Sequence, residues 1–330
     1  MGDAMQMAGM LYQVLTQIIA QMLTMSAMPI FWAVAVLPAV QAGFTQMKNQ
    51  KQVVAKLPAF LFALLECWLW ILLSGMLGGI IASSLFLLTG ISISHCAMLY
   101  LWIVMIFLLL LEPRFYCFAY AGGFLVLAQT IAAMCGIRLF DFDGEALLVL
   151  VAILHFTEAV MVRISGALQQ IPVYFRERTG TLTAKIQLQM CWPVPLVIPM
   201  PMLQNTAAEI YNGYLVMPEW WPLFGTTANA ETAVIYQLMP ILALIGYRDT
   251  AEPGKERMQT RKSSKLLFLY SVMLCMLVWA VKLHPYMQGI AALFAVLGHE
   301  GMLWLGGMPM RKYVHIRKKQ RFAKFIIKKR

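Results

Sequence analysis

The sequence predicts an all-α fold: a polytopic transmembrane helical bundle of eight or nine spans, some of them short or broken by proline. Three observations predict it. Of 330 residues, 61% are hydrophobic and only 12% charged, and the mean hydropathy is +0.71. A soluble domain carries roughly 25% charged residues, about twice this share, and needs them to cover a water-facing surface. The apolar residues also gather into long runs, and the loops between the runs alternate in charge.

The runs lie near 25–44, 59–82, 96–111, 115–135, 146–164, 190–203, 232–246, 266–281 and 287–305. A crossing helix takes about 20 apolar residues, so the shorter runs leave the count between eight and nine. The sixth run contains Pro193, Pro195, Pro199 and Pro201. Proline inside a helix removes a hydrogen bond and clashes with the preceding turn, so a broken or re-entrant segment is expected there. Residues 1–24 form an amphipathic N-terminal segment, with Gln13, Gln17 and Gln21 at four-residue spacing. Residues 25–306 form the bundle, and 307–330 a basic tail.

Charge gives the orientation. Lys48, Lys51 and Lys56 occupy one loop, Arg176, Arg178 and Lys185 another, and Arg248 to Lys265 a third. Asp141, Asp143 and Glu145 alternate with them, as do Glu209, Glu219 and Glu231, in a loop that also holds Trp220 and Trp221. Nine spans place every basic loop on the cytoplasmic face of the membrane, with the N-terminus outside and the C-terminus inside. No basic n-region of a cleavable signal precedes the first run.

The net charge of +11 is concentrated in the tail. Arg311, Lys312, Arg317, Lys318, Lys319, Arg321, Lys324, Lys328, Lys329 and Arg330 occur there without a single acid. Phe322, Phe325, Ile326 and Ile327 are interleaved with them. The tail follows a span directly, so the partner expected for it is a bilayer with an anionic inner leaflet, through a short surface helix. Nucleic acid is not expected.

Ionisable residues inside apolar runs are functional candidates, because burying a charge is costly. Glu66 falls in the second run, His155 and Glu158 share a helix face in the fifth, and His299 and Glu300 lie in the last. A His-x-x-Glu pair can relay protons or supply metal ligands; the alternative is a neutral hydrogen-bonded pair joining two helices. His299-Glu300 lacks the second histidine of a zinc-protease helix, since Leu303 stands in its place. Gly75 and Gly79 form a small-x-x-x-small stripe for close helix packing, inside the bundle or in a homo-oligomer. The six cysteines, Cys67, Cys96, Cys117, Cys135, Cys191 and Cys275, stand singly, without disulfide or zinc spacing. The sequence shows no phosphate-binding loop or catalytic triad, and no enzyme activity, cofactor or metal is expected from it.

A series of short patterns occurs in order: Glu112-Pro113-Arg114-Phe115, Val162-Arg163-Ile164-Ser165-Gly166, Arg178-Thr179-Gly180, Trp192-Pro193-Val194-Pro195, Trp220-Trp221-Pro222-Leu223-Phe224, Gly246-Tyr247 and Leu297-Gly298-His299-Glu300. In these the chain resembles the membrane region of the MinJ-like cell-division topological determinants, PDZ-containing bacterial membrane proteins. The resemblance implies a non-enzymatic membrane scaffold that recruits or positions division and morphogenesis proteins, with division-site membrane proteins as partners. The stretch after Leu305 is too short for the PDZ domain that the family carries there. A different reading of the intramembrane residues is a secondary transporter using Glu66, His155 and Glu158.

The tail provides the first test. A synthetic peptide of residues 311–330 gains helicity on anionic vesicles and none on zwitterionic ones, read by circular dichroism. A peptide that stays disordered on anionic vesicles at low salt removes the surface helix.

Overall fold

The computed structural model describes residues 2–36, 40, 57–176, 182–202, 223 and 235–307. The basic loop at 48–56, the pattern Arg178-Thr179-Gly180, most of the loop at 205–231 and the basic tail lie outside the described residues.

Among the described residues, eight helices and three strands follow one another. They are α1 (Gly2–Ala27), α2 (Pro29–Val36), α3 (Leu57–Thr89), α4 (His95–Leu111), a 3-10 turn (Pro113–Phe115), α5 (Phe118–Met134), α6 (Gly144–Ser165), β1 (Gln170–Arg176), β2 (Leu182–Met202), β3 (Ile235–Ala251), α7 (Glu256–Trp279) and α8 (Met287–Gly306). Local chemistry sets several of the ends. Ser94 caps α4 and Asp143 caps α6, each side chain accepting a backbone N–H of the first turn. Gly307 ends α8 with φ of 81°, a left-handed conformation that glycine adopts without strain.

Two of the sequence expectations are corrected here. The described residues contain four or five candidate spans, not eight or nine. Among the described residues, four helices are long and apolar enough to cross a membrane: Leu64–Thr89, Gly144–Ser165, Glu256–Lys282 and Met287–Gly306. The first apolar run adds a fifth only if α1 and α2, bent by 75° at their junction, count together. α4 and α5 have 17 residues each, about 25 Å of helix, short of a full crossing. Nor is the fold purely helical. The sixth and seventh runs form β2 and β3 of a three-stranded antiparallel sheet in the order β1-β2-β3. The apolar faces remain turned outward, as a bilayer allows: Leu65, Leu69 and Leu73 of α3, Phe107 and Leu110 of α4, and Leu297 and Trp304 of α8 are all exposed. The chain is a candidate multi-pass membrane protein.

The four prolines explain why β2 is a strand and where its backbone goes. β2 pairs with β3 from Ile186↔Ala251 to Met202↔Ile235 and with β1 from Leu182 to Leu188. Beyond Leu188 one edge of β2 has no strand beside it among the described residues. Alternate residues of a strand present their N–H and C=O to the same edge. Pro193, Pro195, Pro199 and Pro201 are all odd-numbered, and two odd-numbered amides mark which edge that is. Gln189 donates its N–H to the Gln169 carbonyl, and Val197 donates its N–H to Ser83 Oγ of α3 at 2.9 Å. The missing proline donors therefore all fall on the edge away from β3, where no ladder bond is lost.

α3 covers that edge. The carbonyl oxygens of Pro193 and Pro195 lie against Gly75 and Gly79, so closely that a Cβ at either glycine would overlap them. Gly75, Gly79 and Ser83 thus face Pro193, Pro195 and Val197 in turn. Four helical residues advance about 6 Å and two strand residues about 6.7 Å, which keeps the two series in step. The glycine stripe packs on a strand edge, where the sequence reading gave it a second helix. Gly78, between them, faces Met161 and Thr157 of α6. α1 closes the other side of the hairpin through Ile18 and Met22 against Val197, with Gln13 and Gln17 exposed.

Gly79→Val is expected to lower the melting temperature in detergent by the equivalent of about 1–3 kcal/mol, the usual range for overpacking. Gly301→Ala, which meets open space, should be neutral or stabilising, since alanine is the better helix former. An unchanged melting temperature in Gly79→Val would remove the close approach of α3 to β2.

Candidate functional site

The most polar part of the interior lies where α5, α6, α7 and α8 meet the β2–β3 hairpin. A cavity of about 490 Å³ occupies it, lined among others by Arg114, Cys117, His155, Glu158, Asp249 and His299. Its wall also includes Arg248, which is exposed, so the cavity reaches the end of the bundle where β3 passes into α7.

Three helices deliver the central groups. α5 is too short to traverse the bundle, so Cys117, its N-cap residue, is held inside. The thiol lies 3.3 Å from His155 Nε2 and 3.5 Å from His299 Nε2. His155 stands ten residues before the end of α6, about 15 Å along the axis. His299 stands seven before the end of α8, about 10 Å. Both imidazoles are buried, and Tyr270 and Tyr120 pack edge-on against them at centroid distances of 5.1 and 5.0 Å. His155 Nδ1 lies 2.7 Å from the Val151 carbonyl. A carbonyl only accepts, so Nδ1 carries the proton and the Nε2 lone pair faces Cys117. His299 Nδ1 is buried with no partner among the described residues.

Next to this cluster lies an ion pair. Glu300 pairs with Arg114 of the 3-10 turn and accepts a hydrogen bond from Tyr120. Arg114 also lies over the Phe115 ring, 5.0 Å from its centroid. The Glu112-Pro113-Arg114 connection is thus clamped to α8 through Arg114. Both charged side chains keep about a third of their exposure, 30% and 33%, so each remains partly hydrated.

A second network closes the end near Arg248. Asp249 is buried and accepts hydrogen bonds from Ser263, Gln259 and Tyr247. Gln259 also donates to the Gly306 carbonyl, so one amide ties β3, α7 and α8 together.

The candidates from sequence separate clearly. His155, Glu158 and His299 line one cavity, and Glu300 lies beside it. Glu66 does not join them; it is exposed on the outward face of α3 beside Leu65 and Leu69. His155 and Glu158 do not bond each other, since His155 is satisfied by Val151 and Cys117. Cys117, Arg114, Tyr120 and Asp249 are missing from the sequence candidates. Their partners stand up to 186 residues away, beyond any spacing motif. No spacing in the sequence singles out Cys117. No family model, curated protein or solved structure matches the chain.

Replacing Tyr120 by Phe should cost about 1 kcal/mol and Arg114 by Met about 1.5–3 kcal/mol, the ranges for a neutral and a charged hydrogen bond. Thermal unfolding of single and double variants checks this. A cycle on Arg114 and Glu300 with a coupling near zero would show that the ion pair is incidental.

Proposed function

We propose that this chain is a non-enzymatic integral membrane scaffold that works through a basic cytoplasmic end, as its resemblance to the MinJ-like membrane region implies. The supporting observation is the strand register. It sets the start of β2, with Lys185, beside the end of β3, with Arg248, and α7 begins five residues after β3 ends. Arg257, Arg261, Lys262 and Lys265 of α7 are all exposed there. Two loops that the sequence reading assigns to one face therefore come together, and the positive-inside tendency makes that face cytoplasmic. The partners are division-site membrane proteins bearing acidic surfaces, and the anionic leaflet beside them.

The polar cavity favours a second reading, secondary transport. A site of ionisable groups inside an apolar bundle is a feature of transporters. Without Glu66 it would rest on His155 and Glu158. Glu158→Gln should fold normally; loss of a proton-coupled flux in that variant, in proteoliposomes, would establish transport and displace the scaffold.

The orientation is tested first. A cysteine introduced as Lys262→Cys, in a background lacking the native thiols, should resist an impermeant maleimide in intact cells and react after lysis. Labelling in intact cells reverses the topology and ends the scaffold reading. A fluorescent fusion should then concentrate at division sites and disperse in the triple variant Arg257→Glu, Arg261→Glu, Lys262→Glu. An even distribution of the unaltered chain would refute the division role.

A further inference from the structure

We propose that Cys117, His155 and His299 form a site for one transition-metal dication of the zinc class. The argument begins with geometry. Zinc binds thiolate sulfur at about 2.3 Å and imidazole nitrogen at about 2.0–2.1 Å. At a tetrahedral angle, such a sulfur and nitrogen stand about 3.5 Å apart. The two sulfur–nitrogen separations here are 3.3 and 3.5 Å. All three ligand atoms lie within 4.8 Å of one another. Both sulfur–nitrogen separations are those of ligands that share one tetrahedral ion.

Preorganisation supports the assignment. The residues come from three segments far apart in the chain, the α5 N-cap, mid-α6 and late α8, and each is fixed by packing rather than by a loop. The Val151 carbonyl holds the His155 ring by its Nδ1–H and leaves Nε2 bare, the outer-shell arrangement of a metal-bound histidine. Tyr120 and Tyr270 flank the His299 ring edge-on, at 5.0 and 5.8 Å, and restrict its rotation.

Donor type selects the metal. One sulfur and two imidazole nitrogens suit zinc, cobalt or nickel and exclude calcium and magnesium, which take oxygen. Charge is the remaining requirement. A dication with one thiolate leaves one positive charge in an apolar bundle, and an isolated buried charge is costly. Glu158, one helical turn beyond His155, lines the same cavity. Among the described residues its carboxylate has no hydrogen-bonding partner, and it supplies the compensating charge. Three protein ligands facing a cavity leave a fourth position open to water or a small ligand, as in the exchangeable or reactive class of zinc sites. The site is independent of whether the protein is a scaffold or a transporter.

The test uses the full chain purified in detergent without chelators. Titration with Co²⁺ should give one ion per chain, with the visible absorption of a tetrahedral centre and a thiolate-to-metal charge-transfer band, both lost on adding Zn²⁺. Cys117→Ser should abolish the charge-transfer band. Cys191→Ser, which alters another cysteine of the same cavity, and His284→Ala, an exposed histidine, should leave it intact. His155→Ala and His299→Ala should each weaken binding at least tenfold. Should a ligand variant fail to fold, the unaltered chain still decides. Zn²⁺ at saturation should slow alkylation of Cys117 at least tenfold, read by mass spectrometry, and raise the melting temperature. A missing charge-transfer band, a band that survives Cys117→Ser, or no protection of Cys117 would show that the three groups form only a hydrogen-bonded cluster. Preferential retention of Cu⁺ would overturn the dication assignment.

Discussion

A strand edge buried in an apolar interior has no water to satisfy it, and this constraint governs the bundle. β2 is paired on one side by β3 and, beyond Leu188, by no strand among the described residues on the other. Three devices remove the cost. Prolines delete donors at Pro193, Pro195, Pro199 and Pro201, Ser83 accepts the amide of Val197, and Gly75 and Gly79 bring α3 against the proline carbonyls. α6 is then fixed through Gly78 and through the bond from the buried Trp192 indole to Ser165. The depth of His155 follows from that placement. A glycine in one helix and a histidine in another are thus linked by a strand that touches both elements.

The interior is correspondingly divided. Around the hairpin the contacts are dry and close; around Cys117 the bundle keeps a cavity because α5 stops short. The polar groups there are mostly paired: Glu300 with Arg114 and Tyr120, Asp249 with three side chains, Tyr270 with the Ala295 carbonyl. Paired polar groups in a low-dielectric interior are rigid and specify one arrangement. His299 Nδ1 and Arg114 Nε stand out against that background by having no such bond among the described residues.

Much of this was legible in the sequence, and the failures have physical causes. Composition pointed to membrane-spanning helices, and the candidate spans over 64–89, 144–165, 256–282 and 287–306 match long apolar runs. The Pro193 to Pro201 segment was read as a broken helix because four prolines forbid a regular one. Their spacing of two held more information, since only in a strand do alternate residues share an edge. Hydropathy weighs a residue by type and cannot see that edge. Glu66 was ranked with His155 because both interrupt apolar runs, but the direction a helical residue faces depends on its neighbours, and Leu65 and Leu69 already marked an outward face. His155 was found as a singular residue; its partners Cys117 and His299 were not, because tertiary packing alone brings them together.

The hairpin also constrains the order in which the bundle is built. A helix leaving the ribosome satisfies its own backbone, whereas β2 cannot. The 32 residues of 203–234 must be synthesised before β3 is available, and throughout that interval one edge of β2 remains open. α3 precedes β2 in the chain and covers only the opposite edge. The hairpin is thus completed only once residues 235–251 have been made, after every helix from α1 to α6.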